Sequence, residues 1–382
     1  MKSLSELTNG ATAGDIRAEP TGFRWYLQSS LPVSWLARDV IPALRYLRQE
    51  GMPVVTIRRG WLHGTHLEVI AHCDGVRPVP WPQVLAKLRA PAQEDTYRQS
   101  EEAYLARARE LGRLEHVPGP YLPIQPHGTF EWLASSDLRP WPGISQPLRE
   151  RALTRMLDAL TASLGQEIAA DKAPVPLVAE IMLAVADAHP ARIPYGTLSF
   201  RSHGEAFLNW LKATSDPRPD FERRLAADRP VLRPLAERML AGTDSRAAAA
   251  WRRVGIYCMG LFDSAGLAGS VSMETIDQIN EAPDGAPERK GPPGTPDATP
   301  GKSEFHQAVD ASGLAERSPG WFVSYRLVLN LLYSQLPLLG VSPRQRFYLC
   351  WALAEVVDEI TGETWRDRLA RGVSVGTTGG QK

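Results

Sequence analysis

Apolar and polar positions follow two different periods along the chain. Phe23-Arg24-Trp25-Tyr26-Leu27 is an aromatic-rich run that predicts a strand. Ser34 stands as a helix N-cap; Trp35, Val40, Ile41, Leu44 and Leu47 follow at helical spacing, and Gly51 ends the segment. Pro42 inside this pattern predicts a kink or a late helix start. Residues 53–58 form a second β-prone run. Beyond Gly60 and Gly64, Thr65, Leu67, Val69 and Ala71 alternate with His66, Glu68, Ile70 and His72, the period of two expected of a half-buried strand. The order strand, helix, strand, strand predicts an α+β arrangement of the ferredoxin-like sort.

The pattern then becomes helical. Pro78, Pro80 and Pro82 interrupt it, residues 93–115 read as an exposed charged helix, and residues 117–132 are extended and proline-rich. Leu153, Met156, Leu157, Leu160, Leu164 and Ile168 make one stripe of an amphipathic helix over 149–169. Further helices are predicted at 177–188, 203–214, 219–241, 245–268, 321–339 and 344–360. Residues 281–302 are rich in Pro, Gly and charge and hold no large apolar side chain, so they are expected to be disordered. Residues 1–20 read as a loose lead-in and 367–382 as a flexible tail. The expected organisation is one α+β domain built from 21–280 and 303–366, with small sheet regions and a largely helical C-terminal two-thirds.

Composition narrows the class. The chain has 382 residues, and Lys+Arg and Asp+Glu number 43 each, a zero balance that argues against bulk nucleic-acid binding. Cys73, Cys258 and Cys350 are far apart and form no CxxC pair, so a reduced, cytoplasmic setting is expected. No apolar run reaches the ~20 residues that span a bilayer, and Met1 to Pro20 lacks the apolar core of a signal peptide. No GxGxxG, Walker loop, GxSxG or HExxH is present. His66 and His72 can share a strand face, but no third ligand accompanies them, and no metal site is expected.

The segment Ser199-Phe200-Arg201-Ser202-His203-Gly204-Glu205-Ala206-Phe207-Leu208 carries the strongest chemical signal. Ser202 and Glu205 match the S-x-x-E capping box, whose ordinary meaning is the start of a helix. His203 lies on one stripe with Phe207, Trp210 and Leu211. A histidine in a first helical turn tends to stay neutral, which suits general acid–base work; a core histidine held by one backbone bond fits the same spacing.

SFRSHGEAFL, the front segment VVTIRRGWLHGTHLEVIA and the late helix SYRLVLNLLYSQL resemble the elimination domain of class I lanthipeptide dehydratases. The resemblance is closer to its stand-alone relatives in thiopeptide biosynthesis, the pyridine synthases, and it runs through most of the chain in order. The departures point the same way. An elimination domain has an arginine pair in the strand after a Gly-His signal, where this chain reads His66-Leu-Glu68-Val-Ile70. The Glu/Arg pair expected after a tyrosine is missing from the segment Tyr121 to Gly128. If Asn330 matches the family's late-helix Asn, Arg326 stands where the catalytic histidine belongs.

The resemblance implies an enzyme that joins two dehydroalanines of a modified precursor peptide by formal aza-cycloaddition, with loss of water and of the leader peptide. It implies no metal and no nucleotide cofactor. The partners it implies are the precursor peptide and other enzymes of the same pathway, with no nucleic acid and no membrane. The alternatives are a split subunit that eliminates glutamate from glutamylated Ser or Thr, and a non-catalytic leader-binding scaffold. His203 is the candidate acid/base and Tyr325 the candidate hydrogen-bond donor or acid, with Ser202, Ser324 and Glu205 in support. Arg201, Tyr333, Arg58 and Arg59 are the candidate substrate-binding residues.

Overall fold

The computed structural model describes residues 21–27, 31–73, 78–91, 100–115, 117–133, 141–164, 172–212, 216–280, 301–313 and 320–378. The expectations for 1–20 and for 281–300 lie outside these residues. Contacts divide the chain into two compact units, the first comprising Met1–Leu111, Pro118–Ala173 and Ser334–Val341 and the second Gly112–Val117, Pro174–Tyr333 and Ser342–Lys382.

The first unit holds a four-stranded antiparallel sheet of β1 (Gly22–Tyr26), β2 (Val54–Gly60), β3 (His66–His72) and β4 (Phe130–Leu133), in the order β2-β3-β1-β4. That order is the one a split β-α-β unit produces. The alternation of side chains sends Phe23, Trp25, Leu67 and Val69 to one face, where they are buried. Arg24, Tyr26, His66 and Glu68 go to the other. β3 is not half-buried as its alternation suggested: His66 and Glu68 are as enclosed as Leu67 and Val69.

Helix α1 (Ile41–Gln49) follows a short helical turn at Val33–Trp35 and a π-helical stretch at Leu36–Val40. Pro42 has no N–H to donate one turn back. The helical stretch, which runs from Val33 to Gln49, meets this not by a late start but by widening into the π turn just before it. Ser34 caps nothing, because the N-cap position is Pro32. Helices α2 (Trp81–Lys87) and α3 (Glu101–Glu115) come next, and α4 (Ser145–Ser163) packs on β2, where Thr154 Oγ1 accepts from the Val55 amide at 3.1 Å.

The second unit is helical. It contains α5 (Val175–Ala186), α6 (Arg192–Leu211), α7 (Arg218–Leu240), α8 (Arg246–Leu267), α9 (Met273–Asn280) and α10 (Glu304–Ala311). The last three helices of the chain are α11 (Gly320–Gln335), α12 (Pro343–Thr361) and α13 (Trp365–Thr378). Helix α6 is the hub, packed on α12, α5 and α10. It begins eleven residues before the expected start at 203. Pro194 lies in its first turn, where a missing N–H costs nothing. Gly196 and Gly204 are contact points rather than breaks. A Cβ on Gly196 would collide with the Ala186 carbonyl of α5, and one on Gly204 would press on Trp351 of α12. The chain past residue 367 is helical to Thr378, not a tail from that point, and Arg368 is buried against Asp358.

Candidate active site

Because α6 starts at Arg192, Ser202, His203 and Glu205 sit in the middle of a helix. No capping box exists there, and the helix-start argument for a neutral His203 does not apply. The half-buried His203 ring instead meets Tyr333 of α11 edge-on, with centroids 4.8 Å apart. Tyr333 is buried, takes a weak S–H bond from Cys350 at 3.6 Å and lies under the Arg346 guanidinium at 5.2 Å. Burial pushes its phenol well above the ordinary value.

Arg201 is buried, and its terminal nitrogens bind Glu355 at 2.7 Å and Asp358 at 2.9 Å on α12. Arg368 of α13 grips Asp358 from the other side. Burial raises the Asp358 carboxyl despite both cations. Arg201 thus ties α6 to α12, and its two ends are committed within the protein. Glu205 is bound by Arg218 at 2.9 Å. A cavity of about 320 Å³ opens beside these pairs. Its walls carry Arg201, Arg218 and Arg366 against Glu205, Glu304 and Glu355, and Phe305 and Trp365 supply the apolar part.

Ser202 has a partner that sequence reasoning missed. His306 of α10 places Nε2 3.0 Å from Ser202 Oγ and Nδ1 2.6 Å from Ser303 Oγ. Ser303 is the N-cap of α10 and also accepts from the His306 amide at 3.3 Å. Burial lowers the His306 imidazole below its ordinary value, and the Glu205 charge opposes this. The only sequence signal was the short S-x-x-H at the start of a helix, which reads as a cap and nothing more.

The other nominated groups are structural in their surroundings. Tyr325 is 1% exposed and donates its hydroxyl proton to the Gly196 carbonyl at 3.1 Å. Burial pushes its phenol far up. Ser324 is equally buried and donates to the Gly320 carbonyl one turn back. His189, between α5 and α6, packs its ring edge-on to Tyr325 at 5.1 Å and accepts the Ala191 amide proton on Nδ1 at 3.0 Å. Burial holds it neutral, with its pKa lowered to about 4. A buried, neutral imidazole is thus found at 189, outside the helix-start setting expected for residue 203.

Arg58 and Arg59 belong to the first unit. Arg58 of β2 and Arg24 of β1 flank Glu68 of β3 in one cross-strand row, and Glu131 of β4 continues it. Glu68 Oε2 accepts from Arg58 Nε at 2.7 Å and Oε1 from Arg24 Nη2 at 2.7 Å. His66 Nε2 stands 3.5 Å from Oε1. These partners hold the Glu68 carboxyl far below the usual carboxylate range, although it is 1% exposed. Gly60 faces His66 across the strands, and any Cβ there would occupy the imidazole's place. Arg59 Nη1 reaches the Pro337 carbonyl at 3.5 Å.

Among the described residues no group of three His, Cys, Asp or Glu side chains is placed to hold a metal ion. No helix among them is long and apolar enough to cross a membrane.

No protein-family model matches the sequence, and no curated protein matches it. Solved structures do. The pyridine synthase TbtD from thiomuracin biosynthesis aligns with a TM-score of 0.60 at 21% identity, over 89% of this chain and 98% of that one. TsrL aligns with a TM-score of 0.55 at 17% identity, over 93% of this chain and 98% of that one. The chain shares the fold of both, an α+β architecture that is mostly helical with one small antiparallel sheet.

Proposed function

We propose that this chain is a thiopeptide maturation enzyme of the pyridine synthase type. The reading is carried by the shared fold, which takes in nearly the whole of TbtD, a pyridine synthase of thiomuracin biosynthesis. In the proposed reaction one dehydroalanine amide shifts a proton from nitrogen to oxygen and reacts, in that form, with the alkene of a second dehydroalanine. Two C–C bonds close the ring, because the nitrogen already lies inside the four-atom aza-diene. The adduct loses its hydroxyl as water and then expels the leader peptide as an amide, which leaves an aromatic pyridine in a macrocycle.

Most of the demand is positional, since two distant alkenes must meet. The remainder is proton movement at near-neutral pH. His203 and Ser202, adjacent on α6, are the groups we assign to it, with Tyr333 holding the His203 ring and Glu205 the local charge. Glutamate elimination, the alternative, needs cations to hold a leaving carboxylate. Arg24 and Arg58 are already taken by Glu68, which speaks for the pyridine reading.

The test is incubation with an azole-containing precursor peptide that bears its leader and two dehydroalanines, followed by mass spectrometry. Loss of water and of the leader amide, with pyridine absorbance in the macrocycle, is the expected result. Recovery of intact peptide overturns the reading, and tight leader binding without turnover favours a scaffold. His203→Ala is expected to slow turnover by about 100-fold or more, the scale of a lost acid–base group, with leader affinity unchanged.

A further inference from the structure

We infer that Ser303, His306 and Ser202 form a proton relay that ends at the Ser202 hydroxyl. Ser202 is the group that meets the substrate, and His306 is a positioning residue that acts through it. This inference rests on the pyridine-forming reading and adds the proton path to it.

The geometry is that of a nucleophile–base–orienter chain with a hydroxyl at each end: Ser202 Oγ to Nε2 at 3.0 Å, and Nδ1 to Ser303 Oγ at 2.6 Å. A hydroxyl both donates and accepts. The Ser303 oxygen receives the His306 amide proton and can still give its own proton to Nδ1 or accept one from it. Both tautomers of the ring therefore complete the chain, and a proton taken at one nitrogen is matched by one released at the other without ring rotation.

The charged groups around the ring are Glu205 from α6, and Lys302 and Asp310 from its own segment. Arg366 of α13, the other helix packed on α10, is engaged with Glu304. Within this set the half-buried ring is neutral near pH 7 and able to accept a proton. Glu205 lies close enough to steady the imidazolium when it forms, and it lines the cavity whose walls also carry Arg201 and Phe305.

The proposed chemistry has the matching balance. The amide tautomerisation takes a proton from nitrogen and returns one to oxygen. Loss of water and loss of the leader amide each protonate a leaving group and remove a proton from the ring. No proton is consumed overall, so a relay that returns to its starting state after each step is sufficient.

The test uses the full chain with His306→Gln, Ser202→Ala and Ser303→Ala, a leader-bearing bis-dehydroalanine azole peptide, and a fluorescently labelled leader peptide. We expect His306→Gln to lower kcat by about 100-fold, the scale of a lost acid–base group, with KM and leader affinity within twofold. We also expect it to erase the acid limb of the pH–rate profile, and Ser303→Ala to shift that limb while turnover persists. A His306→Gln variant with wild-type rate and pH profile overturns the relay. If the wild-type chain converts no peptide, the pyridine reading fails on its own account. The relay is then decided by 15N-histidine spectra: a change in the His306 tautomer balance on Ser202→Ala supports it, and an unchanged spectrum overturns it.

Discussion

Gly204 of α6 and Trp351 of α12 meet so closely that a Cβ on the glycine would lie 2.7 Å from the tryptophan Cβ and 3.0 Å from its Cα. Two helices carrying Ser202, His203 and Arg201 on one side and Glu355 and Asp358 on the other depend on this approach. Gly204→Ala gains about 1 kcal/mol in helix propensity. Overpacking against backbone atoms that cannot swing aside costs about 1–3 kcal/mol. The expected outcome is a lower melting temperature together with slower turnover, checked by calorimetry and by the peptide assay.

Glu68→Gln is expected to destabilise the first unit by about 3–5 kcal/mol, the scale for removing one partner of a buried ion pair. The Glu68 carboxyl titrates below its ordinary 4.5 in the folded state. Its contribution is therefore complete above that value and is lost as the pH falls below it. In denaturant melts the gap between wild type and variant should be narrower at pH 3 than at pH 7, and close only at still lower pH.

His189 gives the opposite kind of shift and a separate window. Its folded value is about 4 against an ordinary 6.5, so protonation favours the unfolded chain. The stabilisation is complete above 6.5, declines as the pH falls from 6.5 to 4, and reaches a loss of about 3 kcal/mol. His189→Asn should flatten stability across that window in a pH series of melts.

Tyr325→Phe removes one buried hydrogen bond to the Gly196 carbonyl. A cost of about 1 kcal/mol is expected, with peptide turnover within twofold of wild type. A large loss of turnover at unchanged stability would restore Tyr325 to the catalytic set.

Burial raises the Cys258 thiol to about 12 and the Cys350 thiol to about 11, while Cys73 is only half-buried. A disulfide reagent at pH 8 should modify Cys73 in the native chain, and Cys258 and Cys350 only on unfolding.

The sheet was readable because period-two alternation is local: Phe23 to Leu27, 53–58 and 65–71 reappear as β1, β2 and β3 within one or two residues. Helices α7 and α8 were equally plain. Helix α6 was not, since Pro194, Gly196 and Gly204 look like punctuation until α5 and α12 are seen pressing on them. The misplaced start then turned Ser202 and Glu205 into a false cap. His306 and His189 escaped notice because their partners, Ser202 and Tyr325, are far away in sequence. Tyr325 and Arg201 were singled out for reactive groups that the fold spends internally, on Gly196 and on Glu355 and Asp358.

The carboxylate built into the sheet at position 68 is a resident guest. Any dissolved acid seeking the same two guanidiniums would have to evict a group that is tethered to the backbone, against an effective concentration that no solute matches. While Glu68 stays in place, these two guanidiniums are occupied and offer no anchor to a dissolved carboxylate.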